Sequence, residues 1–340
     1  MSKVMVTGAG GYIGTQLVRD LVKEGHDVTA VDRFFFGKEP LNEFIGNKQV
    51  TIKQKDIRDL DLQDFKGHDA VCDLACLSND PAGEIDPRLT FQINRDGRIH
   101  VAKTAKKAGV EKYIISSSCS VYGKGEEPQL SEKSPTNPIS VYAKSTLEAE
   151  QQNLSIADNN FSVTSLRNAT VFGLSTRMRF DLVVNLMTLT AFQKSRIIVM
   201  GGGLQWRPLV HLSDVSKAFV TVISTNINIV NKEVFNIGLD NFQIKNLAYL
   251  VREELPFPVE IDVAPDDADK RDYNVVFKKA QEKLAFKARI PVTQGIKEIY
   301  TALKSGKVDV GPKTVTVQWY RNILDAKELL NSVMLDGRVI

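Results

Sequence analysis

The chain reads as an α/β protein, a doubly wound parallel sheet carrying a smaller C-terminal lobe. Three observations predict this. Short β-branched or apolar runs alternate with helical patterns through the first half. Most of those runs are apolar at nearly every position, as strands buried on both faces are. A glycine loop also stands between the first strand and the first helix, at Gly8, Gly10, Gly11 and Gly14. Strands alternating with helices of this length build parallel sheets through crossover connections.

The strands are expected at residues 4–7, 27–31, 50–54, 70–75, 113–116 and 163–167, with helices at 12–24, 87–108 and 140–156. After Phe172 the rhythm changes, and polar or glycine-rich connections at 173–179, 201–208 and 256–273 interrupt shorter elements. We therefore expect residues 1–172 to form the first domain. The smaller lobe is expected to occupy most of 173–340, with a segment around 205–240 returning to the first domain. Neither an internal repeat nor a low-complexity tract breaks this pattern.

Composition narrows the function. The 340 residues are 43% hydrophobic and 25% charged with a formal net charge of +3, an ordinary globular balance that demands neither nucleic acid nor an acidic membrane as partner. The densest basic runs, Lys103 to Lys107 and Lys278 to Lys287, have the spacing of solvated helix faces. No apolar run approaches the ~20 residues that span a bilayer, and Met1 to Gly8 lacks the basic and apolar regions of a signal peptide. Cys72, Cys76 and Cys119 are too few and too apolar in context for a disulfide framework or a metal site. They read as core thiols of a cytoplasmic protein without a metal.

The glycine loop carries the first chemistry. Strand 4–7 runs through Gly8, Gly11, Tyr12, Ile13 and Gly14 into a helix. Glycines there let the backbone approach a pyrophosphate, and the helix N-terminus offers it free N–H groups and a partial positive charge. This is a Rossmann-type arrangement. The second strand ends at Asp32, about 20 residues on, where a carboxylate bonds both adenosine ribose hydroxyls and repels a 2′-phosphate. NAD is expected over NADP, although Arg33 next door is a residue that tolerates a phosphate.

With these residues in place, the chain resembles an extended short-chain dehydrogenase/reductase of the NAD-dependent epimerase/dehydratase family. The spacing Gly8-x-x-Gly11-x-x-Gly14 is that family's form of the loop. The resemblance implies that Asp56 and Ile57 hold the adenine, that Leu74, Ala75 and Cys76 line the pyrophosphate and nicotinamide ribose, and that Asn94 supports the active-site strand. Ser116 through Gly123 resembles the segment carrying the catalytic hydroxyl, placing it on Ser118. Tyr142-Ala143-Lys144-Ser145 after Pro138 resembles the catalytic tyrosine helix, and Asn168, Ala169 and Thr170 the segment closing the nicotinamide side. Thr170 stands where many members carry asparagine. In the second lobe Arg207 and Arg271 resemble diphosphate-gripping arginines, and Asn185 a substrate-contacting asparagine. His211 reads as a buried structural histidine.

The resemblance implies a nucleoside-diphosphate sugar lying between the lobes of a homodimer, with its sugar over the nicotinamide. The dimer is expected through the helices at 87–108 and 140–156, whose Ile93, Ile99 and Leu147 exceed what one sheet face needs. Hydride transfer requires a cofactor held face-on and a hydroxyl acid/base beside the carbon that changes oxidation state, and Tyr142 with Ser118 suits that role.

Two departures stand out. The family's Tyr-x-x-x-Lys has Thr146 at its fifth position. Lysine there would share the tyrosine's helix face and favour phenolate; Lys144 points elsewhere. Low activity, a tyrosine working in its protonated form, and another cation in the lysine's place all remain open at this point. The 4,6-dehydratases carry an Asp-Glu pair where this chain has Cys119 and Ser120, which disfavours dehydration. Oxidation and reduction at C4 of a nucleotide sugar, epimerase-type, is the leading expectation, with a 4-ketosugar reductase or dehydrogenase as alternative. A non-catalytic NAD-binding regulator is the reading from another class.

Overall fold

The computed structural model describes residues 1–265 and 271–338. In chain order its strands are β1 (Lys3–Thr7), β2 (Asp27–Asp32), β3 (Val50–Gln54), β4 (Ala70–Asp73), β5 (Lys112–Ser118) and β6 (Ser162–Asn168). There follow β7 (Thr170–Phe172), β8 (Arg196–Val199), β9 (Trp206–His211), β10 (Glu233–Ile237), β11 (Asp240–Gln243) and β12 (Glu260–Val263). Seven of them form one parallel sheet in the order β10-β6-β5-β4-β1-β2-β3. Chain order reverses between β1 and β4, so the connections leave in opposite directions there and open a crevice at the carboxyl edge. Register aligns that edge: Thr7 lies opposite Asp73, and Ser118 opposite Asn168.

The six expected strands are β1 to β6. The fourth stops two residues early, at Asp73, because the Leu74 and Ala75 N–H groups turn onto Thr7 Oγ1 (3.2 and 3.3 Å). Alternation then sorts the core, since successive strand residues face opposite sides. Val4, Val6, Ala30, Cys72, Ile114 and Leu166 pack with helix Leu212–Ser224 on one face. Met5, Val31, Val71, Tyr113, Ile115 and Val163 pack with helices Arg98–Lys107 and Val141–Ser155 on the other.

The expected helix at 87–108 runs from Pro87 to Lys107, but Gln92–Gly97 is wound as a π-helix. Asn94 explains the bulge. Its buried amide accepts from Leu77 N–H (2.8 Å) and donates to Leu77 C=O (3.1 Å), pinning the chain just beyond β4. Ile99 and Leu147 are buried within this one chain, and Ile93 is half-buried against its core.

Two small sheets, β11-β9-β7 and β12-β8, stand beside the large one. They share a core of Phe172, Val184, Ile197, Leu209, Leu247 and Ile296 with their own helices. β10 returns to the large sheet as its last strand. Part of the expected 256–273 connection, residues 266–270, lies outside the described residues. Among the described residues no helix is long and apolar enough to cross a membrane.

Candidate functional site

A cleft opens along the carboxyl edge, with the glycine loop on one side and β7 and the second lobe on the other. Gly8 sits at φ +69°, and a Cβ there would meet the Leu74 and Ala75 backbone at 2.9 Å. Gly14 lies against the loop itself, where a Cβ would come within 2.1 Å of Gly8 O. Any side chain at either position would push the first turn of helix Tyr12–Lys23 off β1 and β4. Asp32 binds this loop to the next. Its carboxylate accepts from Gly10 N–H (2.9 Å) and Phe34 N–H (2.6 Å) while still lining the cleft. Burial raises its pKa, and those N–H groups pull the other way.

Arg33 and Asp56 also line the cleft, but they hold each other (2.7 Å). Arg58 grips the same carboxylate through Nε and Nη2 (3.0 and 2.7 Å). Burial opposes ionisation of Asp56, yet the two guanidiniums outweigh it and hold Asp56 below the usual carboxylate range. Arg33 is thereby committed to Asp56 and lies over the Phe35 ring, 5.0 Å from its centre.

The reactive hydroxyls meet at the cleft floor. Ser140 caps helix Val141–Ser155 by accepting from Ala143 N–H (3.1 Å), so Tyr142 leaves the first helical turn towards the strand ends. A glycine, Gly83, permits this contact, since a Cβ there would stand 3.0 Å from Tyr142. From β5, Ser118 lines the same part of the cleft as the Tyr142 phenol and accepts from Ser120 N–H (3.1 Å). Desolvation pushes the phenol well above its ordinary pKa, and the negative charges that Cys76 and Asp80 can carry push it the same way. Tyr142 is held as an acid.

Thr146 does not fill the role of the lysine. It is 1% exposed, and its Oγ1 has no hydrogen-bond partner, while Lys144 is exposed. Among the described residues, two buried arginines of this region are already paired with carboxylates. Buried Arg98 bonds Asp73 (3.0 Å) and Ser116 C=O (2.8 Å), and Arg179 makes two bonds to Asp181 (3.0 and 2.9 Å).

Of the residues expected at the site, Gly8, Gly11, Tyr12, Ile13, Gly14, Asp32, Arg33, Asp56, Ile57, Leu74, Ala75, Cys76, Ser116, Ser118, Tyr142, Asn168, Thr170 and Arg271 line the cleft. Four others stand behind it. Asn94 holds Leu77 and Thr146 is enclosed in its helix. Asn185 is fully buried, accepting from Gly173 N–H and donating to Tyr12 Oη and Arg179 C=O. Arg207 donates to Trp206 C=O and Arg271 C=O (2.8 and 2.6 Å). Arg271 reaches the cleft and pairs with Asp80, which Ser140 also bonds. His211 is buried between Glu298 and the Ser213 N–H, a structural arrangement.

Several lining residues carried no motif in the sequence: Asp80, Arg177, Arg179 and Tyr320. The arginines offered one readable signal, alternation with apolar residues in Arg177-Met178-Arg179-Phe180-Asp181 within a glycine-led connection. Tyr320 offered none.

A parallel sheet with a glycine loop, an acidic second-strand end and a Ser–Tyr pair at one carboxyl edge defines a dinucleotide-dependent short-chain dehydrogenase/reductase scaffold. The chain belongs to the NAD dependent epimerase/dehydratase family, whose model matches residues 4–238, and its cofactor is NAD. The residues fit that group. Gly8 and Gly11 leave room for a pyrophosphate, and the cleft is lined by buried polar atoms with no protein partner, Ser117 Oγ, Asn168 Oδ1 and Arg177 Nε. The chain is 26% identical over 305 residues to UDP-glucuronic acid decarboxylase 1 of Danio rerio, covering 86% of this chain and 71% of that protein. It is 24% identical over 301 residues to UDP-glucose 4-epimerase of Corynebacterium glutamicum, covering 84% and 90%. Among solved structures it resembles MoeE5 in complex with UDP-glucose and NAD, with a TM-score of 0.79 and 26% identity over 90% of this chain and 100% of that one.

Proposed function

We propose that the protein binds NAD together with a nucleoside-diphosphate sugar and moves hydride at C4 of the sugar in an epimerase-type cycle. The observation that carries this is that Ser118 and Tyr142 come together at the floor of the dinucleotide cleft. Bound NAD would supply the hydride chemistry, as acceptor and donor. Tyr142 exchanges the proton of the sugar hydroxyl, and Ser118 bonds the same oxygen. Arg271, at the second-lobe side, suits the diphosphate, because a guanidinium fork bonds two oxygens at once. Relatives whose names specify UDP-sugars support the substrate class. Cys119 and Ser120 supply no carboxylate beside Ser118 for proton removal and return, which argues against dehydration.

One observation favours a second reading, a 4-ketosugar reductase. Tyr142 is kept protonated without a neighbouring lysine, and ketone reduction needs an acid where alcohol oxidation needs a base. Both readings are tested by supplying the NAD-loaded protein with a panel of nucleoside-diphosphate hexoses, and the NADH-loaded protein with their 4-keto derivatives, following NADH and sugar configuration. Interconversion of C4 epimers supports the cycle, and NADH consumption with the ketosugar alone supports the reductase. Failure to turn over any of them, with NAD bound, would leave a non-catalytic NAD-binding protein.

A further inference from the structure

Helix Thr316–Val333 is 18 residues long, yet Thr316 is its one buried residue. A helix this exposed gains little from the core, so what holds its first turns is informative. Thr316 Oγ1 accepts from Arg177 Nη2 (3.1 Å). Trp319 Nε1 donates to Phe35 C=O (2.5 Å). The Tyr320 ring stands edge-on to Phe35 and tilted against Phe36, with centroids 6.0 and 5.5 Å apart. Just ahead of the helix, Phe180 N–H donates to Thr314 C=O (2.8 Å). Phe35, Phe36 and Arg177 all line the cleft, and Tyr320 lines it with them. The chain's last helix is therefore fastened to the walls of the cofactor site.

Tyr320 lines the same cleft as Asp32 and Cys76, residues from the second-strand end and from just beyond β4. Those positions flank opposite ends of a dinucleotide laid over the glycine loop. Arg177 is stacked on Phe36 at 3.6 Å, and its buried Nε has no partner. Burial and the positive charge of Arg179 draw its pKa down to about 10, as fits a guanidinium whose surroundings supply too little negative charge. A buried, under-neutralised arginine in a cleft is a site for an anion.

We propose that the C-terminal segment is part of the cofactor site: Tyr320 walls the bound NAD, and Thr316 positions Arg177 to bond one of its anionic oxygens. The dinucleotide then leaves only when the helix lifts. This rests on NAD binding, which belongs to the family, and not on the reaction at C4. A cofactor oxidised and reduced in place has no need to exchange at each turnover.

The test uses the full chain loaded with NADH and follows release by fluorescence after dilution into excess NAD. Tyr320→Ala and Thr316→Val are each expected to speed release at least tenfold. Tyr320→Phe keeps the aromatic wall, and Thr316→Ser keeps the hydroxyl that accepts from Arg177; both should stay within about threefold of the native chain. Backbone hydrogen exchange at residues 316–320 should slow when NAD binds. Unchanged release in Tyr320→Ala and Thr316→Val would overturn the proposal. So would slower release in Tyr320→Ala, because the ring would then be competing with the cofactor for space. Loss of NAD binding by the native chain would instead mark a failure of the cofactor assignment itself.

Discussion

The two sides of the cleft are built on different plans. The glycine-loop side draws its residues from the ends of consecutive strands, within short stretches such as Gly8–Gly14, Asp32–Arg33 and Leu74–Cys76. The second-lobe side is assembled from Arg177 and Arg179, Arg271 and Tyr273, and Tyr320, segments separated by tens of residues. On the first side the cleft is shaped largely by backbone, and each stretch is short and local. On the second, side chains do the work, and each depends on a partner from elsewhere in the chain. Arg271 meets Asp80 and Arg177 meets Thr316.

The largest expected effect lies where the two sides meet. Tyr142→Phe removes the acid/base while keeping the ring that fills the floor. General acid–base catalysis contributes about 100- to 10,000-fold, and turnover should fall within that range with NAD affinity and melting temperature unchanged. A variant that kept its rate would transfer the proton chemistry to another group, and the cleft floor would lose its place in the comparison.

The second-lobe side itself separates two arginines that look alike in sequence. Arg271 lines the cleft, whereas Arg207 is buried and donates to the Arg271 carbonyl. Arg271→Ala should weaken nucleoside-diphosphate binding by about 1.5–3 kcal/mol, the scale of a hydrogen bond to a charged group, and leave thermal stability nearly intact. Arg207→Ala should lower the melting temperature, since it removes the buried guanidinium's bonds to the Trp206 and Arg271 carbonyls. Calorimetric titration and thermal melts of both variants check this. The reverse pattern would restore Arg207 to the diphosphate and make Arg271 structural.

The smallest expected effect concerns position 146. Lysine there would place a cation on the Tyr142 face of the helix. A cation favours phenolate, so the phenol's pKa falls and its base form becomes available at lower pH. Opposite charges at such distances move a pKa by about 1–3 units. Thr146→Lys should therefore shift the pH optimum of alcohol oxidation downward by about one unit and raise its rate at neutral pH. Ketone reduction, which uses the acid, should change little. A pH profile of oxidation that does not move would mean that Tyr142 is not the titrating group. Because position 146 is enclosed, a melt of the variant accompanies the rate measurements.

The dinucleotide half was legible for a physical reason. Each of its features is local: Gly8 needs φ +69° and close approach to Leu74, and a strand, a loop and a helix N-terminus follow each other within about a dozen residues. Period and composition record such requirements directly. The strand positions, the Tyr142 helix with Lys144 turned outward, and the structural role of His211 were readable on the same grounds.

What only the tertiary structure decided was which polar side chains face the cleft and which are spent on the protein. Asn185 and Arg207 have residue types that suit a ligand; the Asn185 amide is engaged by Gly173, Tyr12 and Arg179, and Nη1 of Arg207 by the Trp206 and Arg271 carbonyls. Whether another cation replaces the missing lysine was equally unreadable, since it depends on Arg98 meeting Asp73 and Arg179 meeting Asp181. Tyr320 is the extreme case. Nothing near it in the chain distinguishes it from any half-buried helix tyrosine. Its position on the cofactor cleft exists because the last helix is fastened to Phe35 and Arg177, contacts nearly three hundred and about 140 residues away in sequence. Local geometry is written in local sequence, whereas a hydrogen bond between distant segments is settled only once the chain has closed on itself.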